Sequence, residues 1–394
     1  MELLLAPLAL LLLGSSLVMA VSIEKRIAVA RRFPKLPKET ISFAENPLVS
    51  LIVPFRNEEA NLPNLFSSLI KQDYRNVEIV LVDDQSTDKS PQIAKDFAAR
   101  HKNCKVVSVK EKPEGWTGKT WACEEGFGNS SGEWLLFTDA DVEFEKSLIT
   151  RALHFALVKN IEVLTLMPRI LCKSFWAKLI QPIFIHVLLV LYSPLRVNDQ
   201  KDPFAYVFGS FFLIQRSKYV EIGRHEVVKK SLIEDRALGF LAKQKGRRIM
   251  MLDALDSLTS VWAESLADVT HAIERIVSFS ISVDPLRGVV FAGGTFVVTI
   301  LPFVTLAISL LWYSEGVAFS EIILILSFIA GILALLGSSI EVLGSLKLSP
   351  IYVIASPLGG LLFSLIMLTA SYKNAFRKKI VWRGREYNTA EIEF

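Results

Sequence analysis

The chain has 394 residues, is 51% hydrophobic and carries a net charge of +4. Its mean hydropathy of +0.39 excludes an ordinary soluble enzyme and points to a membrane protein, with room for one soluble domain and several membrane helices. The small charge makes no case for a nucleic-acid partner, and Cys104, Cys123 and Cys172 lack CxxC or metal-site spacing, so they read as free thiols in a reducing compartment.

In chain order, residues 1–24 are expected to be a transmembrane anchor. Leu3 to Ile23 carries no charge and is long enough to span a bilayer. Only Met1 and Glu2 precede it, which is no basic n-region, and the run is long for a signal-peptide core. A basic linker (25–46) follows with Lys25, Arg26, Arg31, Arg32, Lys35 and Lys38, and the positive-inside rule then places the next domain in the cytosol.

Residues 47–282 are expected to form that domain. Strand patterns at Leu51–Val53, Val77–Val82, Lys105–Val109, Glu133–Phe137 and Ile161–Leu166 alternate with helical patterns at Glu58–Lys71, Pro91–Arg100, Thr120–Gly126 and Ser147–Val158. This βαβ rhythm predicts a mainly parallel sheet covered by helices on both faces. Trp176–Leu195 breaks the rhythm: it is apolar but interrupted by Lys178, Gln181, Pro182 and His186. It reads as an interfacial helix (176–195), a buried core helix being the alternative. The soluble pattern resumes at Tyr206–Gln215, Leu232–Ala242 and Arg248–Leu252. Residues 283–372 then supply three uncharged spans, Val289–Trp312, Ile322–Ile340 and Ile351–Tyr372, before a basic tail (373–394). Four spans would leave both termini outside, whereas the basic tail belongs inside. Pro357, Gly359 and Gly360 make the last span the weakest of the four.

The candidate chemistry sits at strand ends. Phe137-Thr138-Asp139-Ala140-Asp141 puts two carboxylates one residue apart after a buried strand, where α/β sheets place ligands. Such a pair can hold a hard divalent cation, which neutralises a diphosphate. A capped loop would explain an isolated D-x-D equally well; the position after the strand favours the metal. Val53-Pro54-Phe55-Arg56-Asn57-Glu58-Glu59 and Val82-Asp83-Asp84-Gln85-Ser86-Thr87-Asp88 end two further strands with acids and amides suited to a base and ribose. Ser86 and Asp88 are accounted for as turn and cap residues, which leaves the adjacent Asp83 and Asp84 unexplained by local structure. Lys119, in the Pro113–Ala122 loop that feeds a helix, suits a phosphate, although a surface lysine is as good a reading and the loop lacks P-loop spacing. Glu234-Asp235 opens a helical pattern. It can serve the helix dipole or supply a general base. The five histidines show no ligand spacing.

Taken together, these residues resemble the membrane-bound family-2 glycosyltransferases of GT-A fold over roughly Pro47 to Leu252, and among them a subgroup acting on lipids: ceramide glucosyltransferase-like, hopanoid-related and carotenoid-related enzymes. The resemblance implies an α/β GT-A nucleotide-diphospho-sugar transferase domain beside α-helical transmembrane segments, in an integral membrane protein. It implies that Pro54, Glu58, Asp83 and Asp84 line the nucleotide and that Lys119 helps hold the base or diphosphate. Asp139 and Asp141 would hold ribose and a Mg2+ or Mn2+ ion, Asp235 would be the catalytic base and Glu234 its support. Inverting transfer from a nucleotide sugar, UDP-linked by expectation, to a lipid acceptor among membrane lipids is the implied reaction. A polyprenyl-phosphate sugar synthase, a processive polysaccharide synthase and a catalytically silent membrane subunit are the alternatives. His271–Ile276 lacks the Gln and Trp of the Q-x-x-R-W motif, which argues against processive synthesis. Trp382 and Arg385 in the tail are candidates to close over the diphosphate, a membrane-surface anchor being the competing reading.

Overall fold

The computed structural model describes residues 2–39, 46–261, 263, 265–281, 285–315, 317, 319–376, 379–382 and 385–388. Glu2–Arg32 is one continuous helix, α1, so the apolar run and the first basic residues share one rod. Its far end enters the soluble domain: Val29 and Phe33 are buried in that domain's core, and Leu36 and Pro34 exchange backbone hydrogen bonds with Asp253.

The domain then alternates β1 (Val49–Phe55), α2 (Leu62–Ile70), β2 (Val77–Asp83), α3 (Ser90–Arg100), β3 (Cys104–Ser108), α4 (Gly118–Gly128) and β4 (Trp134–Phe137). Next come β5 (Val142–Phe144), α5 (Leu148–Val158), β6 (Val163–Met167), β7 (Arg169–Ile170), α6 (Phe175–Leu191) and α7 (Pro194–Asn198). β8 (Phe212–Gln215), α8 (Arg216–Ile222), α9 (Glu234–Gln244), β9 (Ile249–Asp253) and β10 (Leu258–Ser260) complete it. Seven strands form the main sheet in the order β3-β2-β1-β4-β8-β6-β9. β1 is buried at every residue, as a strand covered on both faces must be. It pairs in parallel with β2 on one side and β4 on the other. The connections therefore leave β1 in opposite directions, and the crevice beyond the ends of β1 and β4 is the switch point where such sheets bind ligands. β8 runs antiparallel to both β4 and β6, so the sheet is mixed.

After β10 the chain is helical: α10 (Leu266–Ile281), α11 (Pro285–Thr299), α12 (Leu301–Ser314), α13 (Ser320–Ser339), α14 (Ile351–Ile354) and α15 (Ser356–Ala375). The tail strands β11 (Lys379–Trp382) and β12 (Arg385–Asn388) pair antiparallel. α1 and α13 run side by side in the same direction: Leu5 and Leu12 cluster with Ile323 and Ala330, Met19 sits under Gly337, and Arg26 meets Glu341. α12 packs on α13 through Thr305 and Ser327. The expected span Val289–Trp312 is α11 and α12, bent by 47° ahead of Pro302. Exposed Leu10, Leu17, Leu311 and Ile325 make the outer faces of α1, α12 and α13 apolar.

Two apolar segments behave differently. Phe175–Asn198 is long and apolar enough to cross a membrane by composition. Yet β7 before it pairs with β10, and the Asn198 side chain after it exchanges hydrogen bonds with the Met251 backbone. Both ends are tied to the sheet domain, so α6 lies along it. The expected span Ile351–Tyr372 is divided into α14 and α15. Lys347 just ahead of α14 pairs with Asp256, and Lys373 near the end of α15 pairs with Glu274 on α10. α15 thus also has both ends on the domain side.

Candidate active site

Two polar loops are zippered together at the ends of β1 and β2. The Asn57 and Glu58 amides donate to the Ser86 and Ser90 hydroxyls, and Arg56 Nη1 donates to the carbonyls of Asp84 and Gln85, both at 2.7 Å. The local role expected for Asp88 is present, its carboxylate accepting from the Ser90 amide, whereas the Ser86 hydroxyl serves the other loop through Asn57. Asp83 accepts from the Ser86 amide, and the buried Glu58 accepts from the Asn61 amide side chain. Asp84 does something else. Arg385, from the tail, donates to its two oxygens at 2.6 and 3.0 Å and reaches Gln85 Oε1 at 2.7 Å. Burial pushes the Asp84 carboxyl up and Arg385 pulls it back, leaving it raised. A side chain at Gly118 would collide with both partners, its Cβ only 1.9 Å from Arg385 Nη1 and 2.2 Å from Asp84 Oδ2. Pro54 lies at the end of β1, opposite Val82, and Trp382 lies on β11 opposite Arg385.

Gly118 opens α4, where the Thr117 hydroxyl accepts from the Thr120 amide as an N-cap. The next residue, Lys119, turns away from the Asp84 cluster. Its Nζ lies 2.7 Å from Asp139 Oδ1 and 2.6 Å from Glu234 Oε1. Burial alone would lower this ammonium; Asp139 and then Glu234 overrule it and hold it well above its ordinary value. Asp235 stands beside them and accepts from the Gly209 amide at 3.0 Å. Burial, and next the Glu234 charge, pushes Asp235 up to about 6, while Lys119 and Arg275 pull the other way. A Cβ on Gly209 would lie 2.9 Å from Lys119 Nζ, 3.1 Å from Asp139 Oδ2 and 3.3 Å from Asp235 Oδ2. Three charged groups therefore converge on one glycine. Asp141 is set apart, its Oδ1 accepting from Ser260 at 3.4 Å.

The residues fit a divalent cation only with help from a ligand. Among the described residues no group of three or more His, Cys, Asp or Glu is placed to hold one. Asp139 already meets Lys119, and Asp139 and Asp141 are the carboxylates that a cation there would have to draw on. Mg2+ is commonly held by one or two carboxylates plus substrate phosphates, and that donor set matches.

A cavity of about 410 Å3 begins at Lys119, Asp139, Glu234 and Asp235 and runs between α6, α11 and α15. Its far walls are apolar, with Phe184, Leu188, Phe291 and Phe363 among them. Arg236, Arg275 and Arg287 also line it. Sequence reasoning missed Gly209, Ser260, Arg275 and Arg287. Arg275 lay inside the stretch set aside for lacking Q-x-x-R-W, and the others carry no local signal.

Residues 50–223 match the family profile described as "Glycosyl transferase family 2". Over that stretch the chain is similar to the family-2 glycosyltransferases. Among curated relatives, a 4,4'-diaponeurosporenoate glycosyltransferase of Staphylococcus aureus strain bovine RF122 / ET3-1 is 27% identical over 57% of this chain and 58% of its own length. The counterpart in strain USA300 is 28% identical over 54% of this chain and 55% of its own. The chain thus spans little more than half the length of these relatives. Among solved structures, a mannosyltransferase from Pyrobaculum calidifontis in complex with GDP-Man and Mn2+ superposes with a TM-score of 0.51 at 15% identity, over 94% of this chain and 99% of that one. At that identity the likeness speaks to the GT-A fold. The profile match ends at residue 223. Glu234, Asp235 and Arg275 lie beyond that limit yet belong to the same site.

Proposed function

We propose that this protein is an inverting, metal-dependent glycosyltransferase that moves a sugar from a nucleotide donor, UDP-linked by preference, to a lipid at a membrane. The single observation that carries the reading is the cavity that joins the Lys119–Asp139–Glu234–Asp235 cluster to apolar walls on α6, α11 and α15. A charged cluster with an apolar annex suits a donor that is polar and an acceptor that is not.

In this reading Asp84, flanked by Glu58, Asp83 and Pro54, faces the base and ribose, and Lys119 stands near the diphosphate. Arg385 closes that end from the tail. Asp139 and Asp141 would hold Mg2+ or Mn2+, which when bound neutralises charge on the departing diphosphate. With a hydroxyl acceptor, Asp235 takes its proton as the oxygen attacks the anomeric carbon and the sugar–phosphate bond breaks. Glu234, fixed by Lys119, holds the start of α9 and keeps Asp235 aimed at the cavity.

The same reading orders the membrane part. α1, α11–α12 and α13 cross, and α6 and α15 lie at the interface against the catalytic domain. Three crossings put the tail on the domain's side, where the Arg385–Asp84 contact requires it, and the positive-inside rule makes that side the cytosol. The test is donor turnover by purified protein with Mg2+ or Mn2+, screened over lipid acceptors. Absence of turnover with every donor and lipid would sink the proposal. With an alcohol acceptor, Asp235→Asn is expected to lower kcat by about 10²–10⁴-fold and to leave donor binding in place.

A further inference from the structure

The apolar helix α6 is interrupted by three polar side chains, those of Lys178, Gln181 and His186. Two of them have partners in the protein. Lys178 Nζ stands 6.0 Å from the Tyr352 ring centroid. His186 sets its ring nitrogens 3.3 Å from Glu341 Oε1 and 3.1 Å from the Ser22 hydroxyl. Gln181 differs. It is 1% exposed, and among the described residues neither the nitrogen nor the oxygen of its amide meets a hydrogen-bond partner.

Gln181 nevertheless belongs to the cavity wall. With Phe184, Ile185 and Leu188 it falls at i, i+3, i+4 and i+7, one stripe of the helix, and all four line the cavity. What α15 and α11 bring to the same cavity includes Phe363, Met367 and Phe291, which offer the amide nothing. Tyr206, Ser260 and Ser345 on the cavity are engaged, with the Tyr192 carbonyl, Asp141 and Glu341. Ser210, whose hydroxyl also lacks a partner among the described residues, adjoins Gly209 at the charged end and belongs to the site already described.

A primary carboxamide offers two N–H donors and one carbonyl acceptor. Buried polar groups are otherwise matched, because an unmatched one gives up water for nothing. A plain hydrocarbon chain beside Gln181 leaves that loss in place. An ionised group engages the N–H donors alone and brings charge against apolar walls. A hydroxyl serves both halves of the amide, since it can donate to the carbonyl and accept from an N–H. Its place on the ligand follows from the helix. Gln181 stands eleven residues before Tyr192, the C-cap of α6, about 16 Å along the axis. The Tyr192 ring meets Arg236, the neighbour of Asp235. Gln181 is therefore set back from the charged end, beside the chain of a bound lipid and not its head.

We infer that Gln181 is a specificity residue for a lipid whose hydrocarbon chain carries a neutral hydroxyl remote from its head, and that it selects against a plain chain of the same length. A site built to hydrogen-bond a hydroxyl discriminates strongly against the analogue that lacks it. The inference rests on the glycosyl-transfer reading only in taking that lipid for the acceptor.

The test uses the full chain in phosphatidylcholine nanodiscs and reads displacement of the fluorescent polyene cis-parinaric acid. Ricinoleyl alcohol is compared with oleyl alcohol, and ricinoleic acid with oleic acid. Each pair differs by one hydroxyl in mid-chain, so the head is not prejudged. Partition into the bilayer is the same for wild type and variant, so each pair's competition ratio is compared between proteins. In the wild type the hydroxylated member of at least one pair is expected to gain about fivefold over its ratio in Gln181→Met, the scale of one net hydrogen bond. Gln181→Asn, which withdraws the amide by one methylene, should keep only part of that gain. A cooperative melt in every variant shows that the fold is intact. Gln181→Met should also raise the melting temperature of the ligand-free chain, because it removes a buried amide without a partner. Equal ratios in wild type and Gln181→Met for both pairs, no displacement by any of these lipids, or a lowered melting temperature overturns the inference. A hydroxylated chain that is preferred yet takes no sugar from any nucleotide donor counts against the glycosyl-transfer reading and leaves the role of Gln181 standing.

Discussion

The two ends of the cavity are built on different principles. At the donor end almost every polar group meets another: Arg56 on the Asp84 and Gln85 carbonyls, Arg385 on Asp84, Lys119 between Asp139 and Glu234, Gly209 on Asp235. At the acceptor end, helices meet through apolar side chains such as Phe184 and Phe363 and through glycines that let backbones approach, Gly359 against the Leu179 carbonyl and Gly360 against Thr299. Preorganised charge holds a ligand of fixed shape and charge, whereas apolar packing accepts a range of chains. The donor end should therefore be intolerant of single changes, and the acceptor end tolerant of them.

The largest break is expected at Lys119. Lys119→Met leaves the buried Glu234 and the half-buried Asp139 without their cation, and removing one partner of a buried pair such as Lys119–Glu234 costs about 3–5 kcal/mol. Thermal unfolding should show that loss, and donor turnover should vanish. Lys119→Met with Glu234→Gln should restore much of the stability and none of the turnover, which separates the structural from the chemical role.

Gly209→Ala comes next. Its Cβ would enter the space shared by Lys119, Asp139 and Asp235. Displacing groups that must be held to fractions of an ångström should lower kcat by roughly 10–100-fold with little change in melting temperature. A melting loss without a kcat loss would show that the glycine serves packing alone.

This residue also shows how far the sequence could be read. The sheet rhythm, the D-x-D at a strand end and the Glu-Asp opening α9 are local patterns, and local patterns follow from spacing. Gly209 is an ordinary glycine between Phe208 and Ser210 until β8 turns back antiparallel beside β4. The Arg385–Asp84 pair joins residues 301 positions apart, and hydropathy cannot see that α15 returns to the domain, because it counts apolar residues and not where the helix ends go. Lys119 was legible as a cation near phosphate, but the two acids that surround it come from the loop after β4 and from the start of α9.

Arg385→Ala should act more weakly, since the loops that present Asp84 are braced independently by Arg56. Loss of one charged contact predicts a donor affinity lowered about tenfold, with unchanged melting. Unchanged donor affinity would assign the tail to the membrane surface instead.

The smallest expected effect tests whether acid sensitivity also belongs to the donor end. His225 is buried beneath it, its Nδ1 2.6 Å from the Tyr219 hydroxyl and its ring against Phe137. Burial, and secondarily the Lys119 charge, pushes its pKa down to about 3. The unfolded chain, with an ordinary histidine near 6.5, binds a proton that the folded one refuses. Stability from this group is therefore intact above pH 6.5 and falls as the pH drops below it, by about 1.4 kcal/mol per unit once well below 6.5 and until about pH 3. At pH 5.5 the loss should be about 1.4 kcal/mol. His225→Phe should remove that slope, whereas Phe363→Leu at the acceptor end should lower stability equally at pH 7.5 and 5.5. A slope that persisted in His225→Phe would place the titrating group elsewhere, and one that changed in Phe363→Leu would show that the two ends are not as separate as their construction implies.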